Sequence, residues 1–240
     1  MKIRSMLPIA LALLASACST ASPPAPDAAF DPSALWSGPI DELAPFRHGN
    51  QYTYVVTTDG GEERVVQSRC SVAGSRIFIT VTQDEAVLAR TEMLMETDTL
   101  LMVTGVMPQH DIAFTYDPPL VVLESPLREG VRRERSNLVA WKPSNGEEIA
   151  KGRVELAWSA HPAPAAMEDA SLEIRTVKRI DLDNGRQVMI QSKRWLAPGV
   201  GEISSSGRAG EGRVEHRELQ CAEVGPQRYG DCGEPIVRTP

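Results

Sequence analysis

Apolar and polar residues alternate along most of this chain with the period of two that half-buried β-strands show. Residues 51–58 (QYTYVVTT) are a clear case, because Tyr52, Tyr54 and Val56 fall on one face. Similar runs recur at short intervals as far as residue 222, separated by turn residues such as Asp-Gly and Asn-Gly pairs. The pattern predicts about a dozen short antiparallel strands.

The pattern contains no amphipathic helical stripe of convincing length, so it indicates an all-β class. The architecture expected is an antiparallel sandwich or an open, curled half-barrel. The β-domain should span residues 46–222, either as one body or as two units at 46–128 and 131–222. The apolar run at residues 120–123 is flanked by prolines, which predicts an edge or crossing segment rather than a central strand.

The first 17 residues have the character of a signal peptide and are excluded from the fold. Lys2 and Arg4 precede an apolar stretch that is too short to span a bilayer as a retained helix. The tetrapeptide ASAC that ends at Cys18 resembles the lipobox of bacterial lipoproteins. This resemblance implies cleavage before Cys18 and a diacylglycerol on its sulfur, whereas an ordinary signal peptide with Cys18 incidental is the alternative.

Acyl chains on Cys18 would make the membrane a partner of this protein without any spanning segment. In Gram-negative lipoproteins, which the tetrapeptide resembles, serine rather than aspartate after the cysteine favours the outer membrane. Ser19 stands at that position. The resemblance therefore implies a lipid-anchored protein of the outer membrane, on its periplasmic or surface face.

Residues 18–45 contain six prolines among many Ala, Ser and Asp and show no sustained period. This composition predicts an extended tether between the lipidated cysteine and the β-domain. Leu35 and Trp36 are two adjacent apolar residues within this tether, and we expect them to dock on the domain.

Three further cysteines are Cys70, Cys221 and Cys232. An exported chain meets an oxidising compartment, so one disulfide is expected among them. The Cys221–Cys232 pairing is favoured, since it would staple a C-terminal tail at 223–240 onto the last strand, and Cys70–Cys221 is the alternative. Cys70 lies in an alternating strand, which predicts a buried structural cysteine rather than a catalytic thiol.

The formal net charge is −7, and removal of Lys2 and Arg4 with the signal peptide makes the chain more negative still. This charge argues against nucleic acid as a partner, because phosphate binding needs a basic surface. A basic run at 132–135 (RRER) is the exception. It is interpreted as the solvated end of a strand rather than a site for phosphate or anionic lipid.

The sequence contains no recognisable catalytic or metal-binding pattern. The histidines at 48, 110, 161 and 216 are not spaced as metal ligands with Cys, His or carboxylate residues. The sequence also contains no G-x-S-x-G or H-E-x-x-H motif and no phosphate-binding glycine loop. We therefore expect no catalytic residues, no metal and no cofactor.

Residues 195–201 (WLAPGVG) resemble the W-Y-A-P-G-V-G motif of a group of uncharacterised, exported, β-rich bacterial proteins and lipoproteins. Leu196 departs from the tyrosine usual there. A structural role is expected for the motif, with Pro198 and Gly199 forming a type II turn between two strands and Gly201 freeing the backbone beyond it. Trp195 is expected to pack at this corner. The group has no agreed activity, so the resemblance implies only fold and location.

The function that these observations favour is a membrane-anchored lipoprotein whose non-catalytic β-domain binds or scaffolds an envelope protein or lipid. The alternative is a carrier of lipid or another hydrophobic ligand, similar to the periplasmic lipoprotein carriers. A hydrolase is the third hypothesis, and clustering of His110 or His216 with carboxylates would favour it. A cavity lined by four apolar residues would favour the carrier, namely Met93, Met95, Leu101 and Met107.

Overall fold

The structure is a computed structural model that describes residues 34–210 and 212–232. The predicted signal peptide at 1–17, the lipidation site at Cys18 and the first part of the tether lie outside the described residues. So do residues 233–240 of the predicted tail. Within the described ranges, no helix has the length and apolar character needed to cross a bilayer.

The described chain is almost entirely extended. It forms one short α-helix, α1 (Ile40–Leu43), one turn of 3₁₀ helix (Pro108–His110), and three short accessory strands, β1 (Ala34–Trp36), β8 (Leu127–Arg128) and β15 (Gln227–Gly230). Twelve longer strands make the main sheet: β2 (Gln51–Thr58), β3 (Glu63–Ala73), β4 (Arg76–Gln83), β5 (Ala86–Glu96), β6 (Thr99–Met107), β7 (Ile112–Glu124), β9 (Val131–Trp141), β10 (Glu148–Pro162), β11 (Leu172–Leu182), β12 (Gln187–Ala197), β13 (Gly201–Ala209) and β14 (Glu215–Val224).

These twelve strands form one antiparallel sheet that closes on itself in a barrel-like shape. From β2 to β13 each long strand pairs with the next one along the chain, and β14 then pairs with both β2 and β13. The predicted all-β antiparallel class is confirmed. The two units proposed at 46–128 and 131–222 are consecutive halves of this one sheet, and they share one hydrophobic core.

Alternation along each strand decides which side chains fill the interior, because successive residues point to opposite faces of a sheet. In β2, the side chains of Tyr52, Tyr54 and Val56 are buried, while Thr53 and Val55 between them are partly exposed. The same parity continues around the sheet and supplies the buried core. The period of two that marks the strands in the sequence therefore also separates the inside of the barrel from the outside.

Two consecutive prolines interrupt β7 in its middle. Pro118 and Pro119 have no backbone N–H to donate, so a ladder cannot continue through them on both sides. Beyond them, residues 120–124 still pair with β6. On the other side the ladder with β9 ends at the pair Asp117–Asn137. Residues 120–123 therefore pair on one side only, which confirms the edge character predicted for them.

The interruption leaves a gap in the wall of the barrel. No ladder joins residues 120–124 of β7 to residues 131–136 of β9, and we call this gap the seam. An ion pair spans it, with Arg132 Nε 2.8 Å from Glu124 Oε1. The seam brings side chains of β7 and β10 to the same part of the interior without a continuous strand ladder between them.

The end of the predicted tether is folded against the sheet. Ile40, Leu43 and Phe46 are at most 1% exposed and belong to the core. β1 pairs with β8, which sets Leu35 and Trp36 against the domain as expected. The prediction of an extended tether over the whole of 18–45 is therefore wrong from residue 34 onward. Isolated apolar residues in a proline-rich stretch show no period, so the sequence alone did not indicate the burial of Ile40, Leu43 and Phe46. We call residues 34–46 the N-terminal segment.

The C-terminal end of the described chain also belongs to the sheet. β14 and β15 form an antiparallel hairpin, so the predicted tail at 223–240 is part of the sheet as far as Gly230. A disulfide joins Cys221 to Cys232, which is the pairing favoured from the sequence, and the alternative Cys70–Cys221 bond does not form. Cys70 is buried in β3 as predicted, but it is not a free thiol.

We expect the change Leu43→Ala to lower the free energy of unfolding by about 2–4 kcal/mol, because it removes a fully buried side chain from the core. Urea denaturation followed by circular dichroism measures the loss. The matched control is Glu42→Ala, whose side chain is exposed and whose change should stay within about 0.5 kcal/mol. Equal stability of the two variants would show that the N-terminal segment is a tether after all.

Candidate functional site

The interior of the barrel contains a cavity of about 40 Å³ between β6 and β7 on one side and β10, β11 and β12 on the other. A space of this size accommodates a few water molecules or a group of few heavy atoms. Six of its lining residues are apolar or aromatic and four are polar or charged: Met102, Leu120, Val122, Leu156, Trp158 and Ile190, then Thr176, Lys178, Ser192 and Arg194.

Strand register explains why these residues meet. Trp158, Thr176 and Ser192 stand directly opposite one another on β10, β11 and β12. Leu156, Lys178 and Ile190 form a second row two residues away on the same three strands. Residues two apart on a strand share a face, so both rows project into the interior.

Lys178 places an ammonium group inside the barrel, and only 5% of the residue is exposed. Its Nζ donates a hydrogen bond to Tyr116 Oη at 2.7 Å and lies 4.6 Å from the centroid of that ring. No carboxylate of the described chain lies within ion-pair distance of this ammonium group. The ammonium group of Lys178 is therefore stabilised by the phenol ring and hydroxyl of Tyr116 and not by a carboxylate.

A third row brings two guanidinium groups into the interior. Arg194, Ser205 and Arg217 stand opposite one another on β12, β13 and β14, and we call them the arginine row. All three residues are buried, and Ser205 is 0% exposed. The guanidinium carbon of Arg217 lies 4.4 Å from the ring centroid of Tyr54, in the geometry of a cation–π contact.

Glu202 is the buried carboxylate that acts on this row. Burial lowers the pKa of Arg194, and the negative charge of Glu202 opposes that shift. Burial also raises the pKa of Tyr54 well above its ordinary value, Glu202 raises it further, and the positive charge of Arg217 counteracts both. One carboxylate therefore contributes to the electrostatic environment of two interior side chains.

Two uncharged side chains near these charges each bury a polar atom that has no hydrogen-bond partner within the described part of the chain. These atoms are the indole Nε1 of Trp158, a residue that lines the cavity, and the hydroxyl Oγ of Ser205 in the arginine row. An indole N–H is a donor only, and a hydroxyl both donates and accepts. Buried polar groups are normally hydrogen-bonded, so these two atoms mark where a further partner is missing.

The rim of the barrel beside the seam carries both signs of charge. Arg132 and Glu134 on β9 stand opposite Trp158 and Leu156, the lining residues of β10. Burial raises the pKa of Glu134, the nearby Glu124 raises it further, and Arg132 lowers it. The side chains of the basic run at 132–135 otherwise face solvent, which agrees with the interpretation of a solvated strand end.

The corner of the motif at 195–201 receives the N-terminal segment. The N–H of Val200 donates to the carbonyl of Ala197 at 3.1 Å, and Gly199 has φ +76°, as the third position of a type II turn requires. The N–H of Gly199 then donates to the carbonyl of Glu42 in α1 at 2.6 Å. Trp195 is half-buried and donates from Nε1 to Glu173 Oε2 at 3.1 Å. The motif residues thus lie outside the cavity.

The structure brings one serine and one histidine together on the outer face of β10. Ser159 Oγ lies 2.9 Å from His161 Nε2. Glu173 stands opposite His161 on β11, but its carboxylate oxygens bind Arg175 and Trp195 instead. The pair therefore lacks the carboxylate that would orient the imidazole ring of a hydrolytic triad.

Other residues singled out in the sequence lie apart from the cavity. His110 and His216 are exposed, and no group of three or more His, Cys, Asp or Glu residues capable of holding a metal occurs among the described residues. The residues that would have favoured a carrier do not line the cavity either. Two are buried elsewhere in the core and two are half-buried: Met93 and Met107, then Met95 and Leu101.

The charged interior residues were missed by sequence reasoning, although the sequence contains a signal for them. Lys178 lies on the same strand face as Ile174 and Ile180, and Arg194 lies on the same strand face as Ile190 and Leu196. A charged residue on the apolar face of a strand is predicted to point into the interior. The sequence does not show that these strands lie side by side, and that adjacency is what assembles the site.

No protein-family model matches this chain, and no curated protein matches it significantly. Two solved structures are similar to it. One is an exported-protein candidate with a YmcC-like fold from Bacteroides fragilis, with 11% identity, coverage of 79% of this chain and 99% of that chain, and a TM-score of 0.45. The other is a lipoprotein candidate from Parabacteroides distasonis, with 7% identity, coverage of 81% and 100%, and a TM-score of 0.47. At TM-scores below 0.5 these likenesses carry no conclusion about the present chain.

We expect Tyr52 and Tyr54 to ionise above the ordinary range of tyrosine in an absorbance titration at 295 nm, because burial raises both pKa values. Above a pH of about 10 the unfolded chain loses these protons while the folded protein keeps them, so stability should fall as pH rises. The variant Tyr54→Phe should halve the delayed amplitude. An unchanged delayed amplitude in Tyr54→Phe would contradict this assignment.

Proposed function

We propose that this protein is a lipid-anchored lipoprotein of the bacterial outer membrane whose barrel binds a small ligand and has no catalytic activity. The anchoring rests on the signal segment and on the lipobox-like sequence that ends at Cys18. The binding role rests on one observation, the interior cavity that Lys178 and Arg194 share with an apolar wall. A closed sheet with an interior site is a common design for holding one small molecule.

The size of the cavity favours a small ligand over a whole lipid. Pockets for drug-sized molecules measure about 300–1,000 Å³, which is several times the 40 Å³ found here. An acyl chain would need the apolar core to open, and that core is closed by residues such as Met93 and Leu138, each 0% exposed. The lipid carrier is therefore the weaker of the two binding hypotheses.

The absence of catalysis is part of the proposal and rests on the outer face of β10. A serine nucleophile needs an imidazole base that a third group orients. Ser159 and His161 supply the first contact, and the carboxylate of Glu173 is engaged with Arg175 and Trp195. This arrangement favours a structural hydrogen bond over a catalytic one.

Replacement of the proposed lipidation site should release the protein from membranes. The variant Cys18→Ala should lose metabolic labelling by an alkyne fatty acid and leave the membrane fraction, since the acyl chains supply the membrane affinity. Ser19→Asp should keep the label and move the protein to the inner membrane, while the control Ser22→Asp should stay in the outer membrane. Unchanged labelling of Cys18→Ala would disprove the anchor.

Native mass spectrometry of residues 19–240, exported without the acylated cysteine, should show the mass of the chain with no adduct of phospholipid size. The physical reason is the small volume of the cavity. A denatured run of the same sample provides the reference mass. A phospholipid-sized adduct that disappears on denaturation would reject the small-ligand role and restore the lipid carrier.

A further inference from the structure

We propose that the barrel interior is a site for the carboxylate of a short-chain organic acid, with Lys178 and Arg194 as the cationic groups that receive it. The inference rests on the proposed function and specifies its ligand. It follows from the buried charge of Lys178, from donors without partners at Lys178 and Trp158, and from the shape of the cavity wall.

Lys178 is a buried cation without an acidic partner. Five charged side chains are buried in the described part of the chain: Glu173, Lys178, Arg194, Glu202 and Arg217. Glu173 lies on the outer face of β11 and pairs with Arg175 there, and the charge of Glu202 acts on Arg194. Among the described residues, no carboxylate forms an ion pair with Lys178. Buried charge is costly unless it is paired, so the surroundings of Lys178 favour the entry of an anion.

Lys178 is the group with the most unused binding capacity. An ammonium group has three N–H donors, and Tyr116 Oη accepts one of them at 2.7 Å. The rest of the side chain lines the cavity. Two donors therefore remain for a ligand, and a carboxylate with two acceptor oxygens suits them because hydrogen bonds between charged groups are the strong ones.

Neighbouring donors extend the site. Trp158 lines the same cavity, is 3% exposed, and its Nε1 has no hydrogen-bond partner in the described chain. Ser192 and Thr176, opposite one another on β12 and β11, add hydroxyl groups to the lining. Arg194, two residues beyond Ser192, supplies the second positive charge. These groups come from three adjacent strands, so the backbone holds them in place before a ligand arrives.

The remaining wall determines what can be attached to the anion. It is formed by five apolar side chains: Met102, Leu120, Val122, Leu156 and Ile190. An inorganic phosphate has polar oxygens on every side. Some of them would lie against this apolar wall, which offers no hydrogen-bond donors. A carboxylate with a short alkyl group places its charge at Lys178 and its carbon atoms against the wall. The cavity of about 40 Å³ limits that group to a few carbons.

The test is isothermal titration calorimetry on the full lipidated protein in nanodiscs, with empty nanodiscs as the blank. The probes are acetate, propionate, butyrate and hexanoate, the neutral amide butyramide, and inorganic phosphate. We expect a short carboxylate to bind about tenfold or more tightly than butyramide, because only the carboxylate pairs with the ammonium group. We expect hexanoate to gain nothing over butyrate, since the cavity of about 40 Å³ holds no longer chain.

The variant Lys178→Met keeps an unbranched side chain, one heavy atom shorter, and removes its charge, so it should weaken butyrate binding about tenfold or more. Its matched control is Lys193→Met, an exposed lysine on β12 of the outer parity, which should leave binding unchanged. The variant Leu156→Phe keeps Lys178 and fills part of the cavity, so it should shift the preference from butyrate toward acetate. This second variant decides the matter if Lys178→Met does not fold.

Several outcomes would overturn the proposal. Equal affinity for butyrate and butyramide would remove the role of charge and leave the small-ligand function standing. Phosphate bound more tightly than every carboxylate would replace the organic acid by an inorganic anion. An unchanged chain-length preference in Leu156→Phe would place the ligand outside the cavity. Failure of all probes to bind would overturn both this inference and the proposed interior site.

Discussion

Closure of the sheet is the constraint on which the rest of the structure depends. A strand with an unpaired edge exposes backbone donors and acceptors, and the meeting of β13 with β14 removes both edges of the twelve-stranded sheet at once. Closure also gives every strand an inside and an outside. Each inward-facing side chain then packs against side chains from the opposite wall of the barrel. The cavity lies where this packing leaves space.

The prolines of β7 act within this constraint. Because Pro118 and Pro119 end the ladder with β9, the closed wall has a seam at the level of Leu156 and Trp158. A continuous ladder would bring β7 and β9 together along their whole length. The same interruption therefore explains the irregular register of β7 with β6 and the position of the small space that Lys178 and Arg194 share.

The N-terminal segment and the motif at 195–201 are two parts of one arrangement. Ile40 and Leu43 bury their side chains in the core, and the backbone of the Pro198-Gly199 corner donates to the carbonyl of Glu42. Only a residue that tolerates positive φ fits the donor position, which explains a glycine there. The motif is thus a docking point for the N-terminal segment, and its place outside the cavity is consistent with a structural role.

The sequence by itself determined the all-β class, the approximate number of strands and the faces of those strands, because a period of two is a local property of the chain. It also indicated the disulfide bond between Cys221 and Cys232, since a short loop keeps both cysteines close. Tertiary structure alone decided that the strands close into one sheet, that residues 34–46 belong to the core and that Lys178 meets Tyr116. These last facts join residues far apart in the chain. No local pattern contains them, and only the register of the closed sheet brings them together.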